Sequence, residues 1–351
     1  MQRIAETCAA ILTPDPAISE RVQAKLDAKT KPRRSLGRLE DLACQYAAIL
    51  GTDNPPLPKK ALLVMGADHG VAAQGVSAFP QEVTGQMLLN FARGGAAINV
   101  LARHADAEVI VVDMGVKEPV IEAGIESARV GAGTADFTLQ PAMTRAQAET
   151  ALLTGIAIAR RLAAAGTHVV GLGDMGIGNT TSSSALTAAL TGAAVEEVTG
   201  FGTGISDAVR ARKVEAIRQG LQLHRPDRNA PLAILECLGG FEIAGLTGFV
   251  LGAAAQRMAV VLDGFIASVA ALLAVRMAPS AAGYLLPSHR SVDAGHRIVR
   301  RELGKVPLFD FDMRLGEGTG AALAMTVLDA SVKLLHEMAT FSAAGVSDSG
   351  A

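Results

Sequence analysis

THVVGLGDMGIGNTTSSS, Thr167–Ser184, is the stretch that decides how this chain folds. Thr167–Leu172 is an apolar run that reads as a short buried strand, and Ala185–Leu190 reads as helix. Glycines 171, 173, 176 and 178 let the backbone turn sharply and approach a ligand where a Cβ would collide. Asn179, Thr180, Thr181 and Ser182 then supply amide and hydroxyl groups at a helix start, where free N–H groups and the helix dipole attract anions. The favoured reading is a monophosphate cradle, with Gly176, Asn179 and Thr180 in contact; a tight turn with a serine-rich cap is the plain alternative. Gly173–Thr180 has the spacing of a Walker A loop, but Asn179 stands where that loop needs its lysine, so a nucleoside triphosphate loses its main charge partner. The dinucleotide fingerprint is only approximate, and no acidic residue sits convincingly at the end of a following strand.

Working outward, the same pattern repeats. ALLVMGADHG ends a strand at Asp68, EVIVVDMG at Asp113, HVVGLGDMG at Asp174 and AVVLDG at Asp263. Each is a continuous apolar run, as expected of strands covered on both faces of a parallel sheet, and helical stretches separate them. YLLPSHRS, Tyr284–Ser291, adds a fifth candidate strand, and Val195–Val198 a weak one. Right-handed crossovers place all the strand tips on one edge, where ligands of open α/β sheets bind. The four aspartates and their glycines are therefore expected to converge there, although a single Asp at a strand end is usually a turn former or helix cap.

Bulk properties narrow the class. With 351 residues the chain can form one large α/β domain, or one with a smaller companion. Half the residues are hydrophobic, but only 3% are aromatic and tryptophan is absent, which suits closely packed helices and strands rather than an aromatic-lined nucleic-acid surface. A net charge of −2 with interspersed signs leaves no electrostatic footprint for nucleic acid. Cys8, Cys44 and Cys237 are isolated and lack metal spacing, which favours a reducing cytoplasm. Arg3, Glu6 and Pro14 argue against a signal peptide, and Asp263–Gly264 breaks the longest apolar stretch, Ala259–Val275, into a strand and a buried helix. A soluble protein is expected.

Residues 1–50 alternate apolar and charged positions at helical spacing, with Ile18, Val22 and Leu26 on one face and Leu36, Leu39 and Leu42 in a second helix. Lys31–Glu40, KPRRSLGRLE, reads as a solvated helix start or as part of an anion site reached from another subunit. Asn54–Pro58 is a proline-rich joint before the first strand. In Gly75–Arg103, Phe79, Met87 and Phe91 are either ordinary core or a slot for a flat aromatic ligand. The loops Gly131–Phe137 and Phe201–Asp207 are polar; the helix after the second carries Arg210, Arg212 and Lys213, of which Lys213 is the candidate phosphate contact. Gly239–Gly248 opens a helix with backbone freedom at both ends. Glu317, between Gly316 and Gly318 just before a helix, is either that helix's cap or a base facing a pocket. No HExxH or paired spacing occurs among the seven histidines, so His69 and His289 read as hydrogen-bonded structural or pocket residues and no metal is expected.

The motifs KPxxSLGRLE, GADHGV, SAFPQEVTGQM, GGAAINVLAR, GDMGIGNTTSSSAL, GGFEIAGLTG, LDGF, PSHRS and MRLGEGTGAALA together resemble the nicotinate-nucleotide:dimethylbenzimidazole phosphoribosyltransferase family of cobalamin biosynthesis, over about residues 30 to 330. Arg33–Arg34 replace an expected Pro–Gly, and Asp174 stands where some members carry Glu. The resemblance implies a pentosyltransferase that moves phosphoribose from nicotinate mononucleotide to 5,6-dimethylbenzimidazole, giving α-ribazole 5′-phosphate and nicotinate. It implies a Rossmann-like parallel sheet flanked by helices, a small helical domain from both termini, and a homodimer. On that basis residues 1–58 are the helical segment of the small domain, 59–300 the large α/β domain, and 301–351 the C-terminal segment carrying the catalytic loop. The base falls on Glu317, which decides between cap and catalyst. Asp174 or Asp263 would stabilise an oxocarbenium-like sugar or bind its hydroxyls; Gly176, Lys213, Gly264 and Ser291 would hold the 5′-phosphate; Phe79, Met87 and Leu315 would line the base slot. No cofactor is implied, and the partners are small-molecule substrates, not nucleic acid or membrane. A nucleotide hydrolase or phosphorylase is the rival enzyme reading, and a non-catalytic nucleotide-binding module the rival outside enzymes.

Overall fold

The computed structural model describes residues 2–202 and 204–347; Met1, Thr203 within the Phe201–Asp207 loop, and the last four residues lie outside the described residues. Among the described residues, six strands form one sheet: β1 Lys60–Ala67, β2 Glu108–Gly115, β3 Ile125–Ser127, β4 Val169–Met175, β5 Ala259–Leu262 and β6 Leu285–Pro287. Every pairing is parallel and the spatial order is β3-β2-β1-β4-β5-β6. That is the doubly wound α/β order, in which the connections reverse direction between β1 and β4 and leave a crevice at their carboxyl ends. The four apolar runs ending at Asp68, Asp113, Asp174 and Asp263 are strands, and so is the start of the YLLPSHRS run. β1 is buried along its whole length, as a strand covered on both faces must be.

Two features depart from the sequence reading. Val195–Val198 is a helical turn, not a strand. Its two valines lie three residues apart and pack on the same side, Val198 fully buried, while Glu196 and Glu197 occupy the first turn where the helix dipole favours acids. β3 is a three-residue edge strand, partly exposed and polar, and carries no apolar run by which it could be recognised.

The glycines of β4 serve the fold as much as any ligand. Gly171 and Gly173 point to one face of the sheet, where the Thr319–Glu337 helix lies. A Cβ on Gly171 would sit 2.6 Å from Leu62 Cδ2 and 2.9 Å from Ala321 Cβ, and one on Gly173 would overlap the carbonyl oxygen of Glu317. The absence of side chains on β4 thus lets the C-terminal segment press its first turn against the strand tip. On the other face the Phe241–Ala255 helix crosses the Arg145–Ala164 helix at contact distance, because a Cβ on Gly248 would overlap the Leu152 carbonyl oxygen. GGFEIAGLTG is therefore chiefly a packing motif.

A second, smaller core joins the two ends of the chain. Ile18, Val22 and Leu26 of the Pro16–Asp27 helix meet Ala43, Cys44, Ala47 and Ala48 of the Arg38–Leu50 helix, together with Leu335. Lys31 is engaged in a buried ion pair with Glu40 at 2.8 Å, which braces the N-terminal segment internally, and Arg38 donates to the Pro307 and Val306 carbonyls, which ties that segment to the C-terminal one.

The close approach at β4 makes Gly173→Ala a sharp test. The added methyl must push the Glu317 loop outward, and urea unfolding should show a loss of about 1–3 kcal/mol. A variant within about 0.5 kcal/mol of the parent would contradict that packing.

Candidate active site

A cavity of about 290 Å³ opens at the carboxyl edge of the sheet, over the switch point between β1 and β4. It is walled by the loop and helix after β1 (Val76, Phe79, Met87), the glycine loop after β4 (Asp174–Thr180), the loops after β5 and β6 (Gly264, His289, Ser291, Asp293) and the C-terminal segment Arg314–Glu317. Phe201, Gly202 and Lys213 close another side. Of the site residues expected from sequence, Glu317, Asp174, Gly176, Asn179, Thr180, Lys213, Gly264, Ser291, Phe79, Met87 and Leu315 all line this cavity. Asp263 does not.

The reason is the C-terminal loop. Both carboxylate oxygens of Asp263 accept backbone N–H groups from the start of the Thr319–Glu337 helix: Oδ2 from Gly318 at 3.0 Å, and Oδ1 from Gly320 at 2.7 Å and Ala321 at 3.3 Å. Asp263 is thus a cap supplied from β5, which corrects its assignment to the sugar. Burial raises its carboxyl to about 7 even against those three donors.

Glu317 is released from capping by this arrangement. Gly316, Glu317 and Gly318 have φ of +85°, +62° and +93°, three successive residues in the left-handed region. Glycine adopts it freely, whereas a glutamate there costs about 1–2 kcal/mol. The turn is locked by Thr319, whose N–H and hydroxyl both donate to the Gly316 carbonyl at 3.1 and 2.9 Å. Glu317 itself is buried; it accepts the Ile98 N–H, in the first turn of the Ala97–His104 helix, while its Oε2 has no hydrogen-bond partner. Burial raises this carboxyl above the ordinary glutamate value, with the Ile98 bond opposing.

Asp174 adjoins the loop, since a Cβ on Gly316 would lie 3.7 Å from its Oδ2. Asn179 donates to the same oxygen at 2.9 Å. Burial, followed by the charges of Asp263 and Glu242, holds Asp174 well above the usual carboxylate range.

The wall also carries a buried cation. Lys213 is buried, and its Nζ donates to Thr180 Oγ1 at 2.7 Å. Burial lowers its ammonium to about 8, Asp293 opposing the fall and Arg210 adding to it. Two helices also begin at the wall, at Asn179 and at Phe265. A buried cation on a neutral hydroxyl, beside helix N-termini, suits an anion.

The serine run behaves differently from its cradle reading. Asn179 and Thr180 face the cavity, but Ser182 donates to the Leu238 carbonyl and Ser184 to those of Thr180 and Val198, tying the helix into the core. Phe91 is core, whereas Phe79 and Met87 line the cavity. The four strand-end aspartates do not all converge on it. Asp113 pairs with Arg129 at 2.9 Å and accepts the Gly115 and Val116 N–H groups, and Asp68 accepts the Lys117 N–H at 2.7 Å. Both brace the loops beyond β1 and β2. His69 is a structural residue with Nε2 2.5 Å from Oε1 of the buried Glu242. His289, Asp293, Arg314 and Phe201 are wall residues not assigned a contact from sequence, each within two residues of one that was or in a glycine loop already singled out.

A family model described as Phosphoribosyltransferase matches residues 11–346. The chain belongs to this family. A relative from Roseiflexus sp. (strain RS-1), 54% identical over 99% of both chains, is named nicotinate-nucleotide–dimethylbenzimidazole phosphoribosyltransferase. So is one from Citrifermentans bemidjiense, 49% identical over 99% of this chain and 100% of its own. The crystal structure of CobT from Thermus thermophilus superposes with a TM-score of 0.90 at 46% identity, covering 95% of this chain and 99% of that one. As a phosphoribosyltransferase this protein is an enzyme, and its sheet carries the family's α/β architecture. Among the described residues no helix is long and apolar enough to cross a membrane.

The exchange of roles between Asp263 and Glu317 predicts unequal stability effects. Asp263→Ala strands three buried donors and should cost about 2–4 kcal/mol in urea unfolding. Glu317→Gln keeps an acceptor for Ile98 and should stay within about 0.5 kcal/mol of the parent. The reverse order would show Glu317 to be the cap.

Proposed function

We propose that this chain transfers the phosphoribosyl group of nicotinate mononucleotide to 5,6-dimethylbenzimidazole, giving α-ribazole 5′-phosphate and nicotinate. The observation that carries the reading is the buried Glu317 carboxylate, with one oxygen unpartnered, in the wall of a cavity that is apolar on one side and suited to an anion on another. The names of the full-length relatives support it.

In this reading the 5′-phosphate lies against Lys213 and Gly176, with Thr180 and Asn179 at the helix start and Gly264 and Ser291 on the side where the phosphate joins the ribose. The ribose spans the middle, and the acceptor ring enters the slot made by Phe79, Met87 and Leu315. A neutral benzimidazole nitrogen attacks C1′ while the C1′–pyridinium bond breaks, its electron pair returning to the ring nitrogen. Nicotinate needs no acid to leave. The acceptor becomes cationic as the new bond forms, which acidifies its other N–H, and Glu317 removes that proton. Attack opposite the leaving ring inverts β to α, a course that needs a fixed sugar between two flat pockets. Asp174, whose ionisation burial disfavours in the resting site, is drawn toward its charged form as positive charge develops beside it. Asp263 acts on the reaction only by holding the Glu317 loop.

We read the small core shared by the two chain ends as a separate helical domain and the active species as a homodimer of 36.0 kDa chains in a reducing cytoplasm, consistent with free Cys8, Cys44 and Cys237.

Glu317→Gln should lower kcat by about 10²–10⁴-fold while nicotinate mononucleotide still binds in calorimetry. Unchanged turnover would remove the proposed base. Nicotinate release should require the benzimidazole; release without it indicates a hydrolase.

The pH profile follows from the same groups. A base works deprotonated, so activity falls as pH drops through the Glu317 pKa, and the acid limb of kcat/KM should lie above the ordinary glutamate value. Lys213 binds phosphate as a cation, so the KM for the nucleotide should rise once pH exceeds about 8. Lys213→Met should raise KM at neutral pH and abolish that rise; a parent KM flat from about pH 7 to 9 would contradict the assignment.

A further inference from the structure

The loop after β6 carries a histidine that the proposed mechanism leaves unused. His289 is 3% exposed and lines the cavity. Its Nδ1 edge turns inward. A Cβ on Gly320 would overlap Nδ1, Ser288 Oγ lies 3.1 Å from it, and Asp263 Oδ1 lies 3.9 Å away. Ser288 has a single hydroxyl proton, which it donates to the Asp263 carbonyl at 3.0 Å. The Ser288–His289 contact is then a hydrogen bond only if Nδ1 carries the proton and donates to Oγ. Burial lowers the imidazole to about 4, with Asp310 opposing, so the ring is neutral at pH 7. A neutral ring protonated on Nδ1 leaves a bare lone pair on Nε2.

That second edge points toward Gly264 at the wall of the cavity. A Cβ on Gly264 would lie 3.8 Å from His289 Cε1, 3.9 Å from Nε2 and 3.8 Å from Ser291 Cβ. The ring is held in place by Phe309, stacked at 6.3 Å and 19°, and by His296 at 6.3 Å, whose Nδ1 accepts the Ser291 N–H at 3.1 Å. A fixed acceptor selects its ligand by chemistry. A phosphate dianion has no proton to offer and is repelled by the lone pair; a sugar hydroxyl can donate. We propose that His289 Nε2 accepts a hydrogen bond from the 2′- or 3′-hydroxyl of the donor ribose, making His289 a residue that distinguishes ribosyl from deoxyribosyl nucleotides.

This assignment rests on the phosphoribosyl reading, and a substrate cycle tests the two separately. kcat/KM is measured for nicotinate mononucleotide and its 2′-deoxy and 3′-deoxy analogues with the parent enzyme and with His289→Ala. The parent should lose about tenfold or more on one analogue. His289→Ala should lose a similar factor on the ribosyl donor and little further on that analogue. His289→Asn retains an N–H donor where Nδ1 stands and removes only the outward acceptor, so it should give the same pattern even if the alanine variant folds poorly. Losses that multiply, leaving the variants as selective between ribosyl and deoxyribosyl donors as the parent, would show a merely structural role and overturn the assignment. Absence of transfer from nicotinate mononucleotide by the parent would overturn the phosphoribosyl reading as well.

Discussion

The Asp263 carboxylate, gathering the N–H groups of Gly318, Gly320 and Ala321, is the interaction on which the site depends. It binds the tip of β5 to the first turn of the Thr319–Glu337 helix and satisfies donors that would otherwise be stranded in a dry interior. It also holds a turn with three successive left-handed residues, one of them a glutamate. Strain of this sort persists only where the surroundings over-determine it. Here they do so from three sides: Asp263 from below, Thr319 within the turn, and the side-chain-free face of β4, whose Gly173 admits the Glu317 backbone. With capping done from another strand, the Glu317 carboxylate is left for the cavity.

The site is electrostatically graded. Asp174 and Glu317 stand in the wall with Asp263 and Glu242 behind it; burial lifts Asp174, Asp263 and Glu317 above their ordinary pKa, and like charges lift Asp174 further. Lys213, the buried cation on Thr180, supplies the opposite sign. In the proposed reaction the donor's phosphate meets the cation, and the positive charge that moves to the acceptor ring develops near the carboxyls. Glu242, tied to His69, shapes this field from behind the Gly176 turn without entering the cavity wall.

Much of this was legible in the sequence because the chemistry sits at strand ends. Four apolar runs, each closing on Asp, marked β1, β2, β4 and β5, and the glycine loops after them marked the ligand edge. The cap could not be read locally, because Asp263 and Gly318 are 55 residues apart and either carboxylate suits a helix start. The same blindness to long-range packing explains the serine run, whose hydroxyls look available until the Leu238 and Val198 carbonyls are brought to them. β3 escaped notice because an exposed three-residue edge needs no apolar pattern, and Val195–Val198 misled because β-branched residues favour strands only when the neighbours permit.

The most direct measurement is a crystal structure with dimethylbenzimidazole and a non-reacting nucleotide analogue bound. A Glu317 carboxylate oxygen should then lie within about 3.2 Å of the acceptor nitrogen remote from C1′. An acceptor seated elsewhere in the cavity, with that oxygen still buried against Ile98 and more than about 5 Å from either ring nitrogen, would contradict the proposed proton transfer.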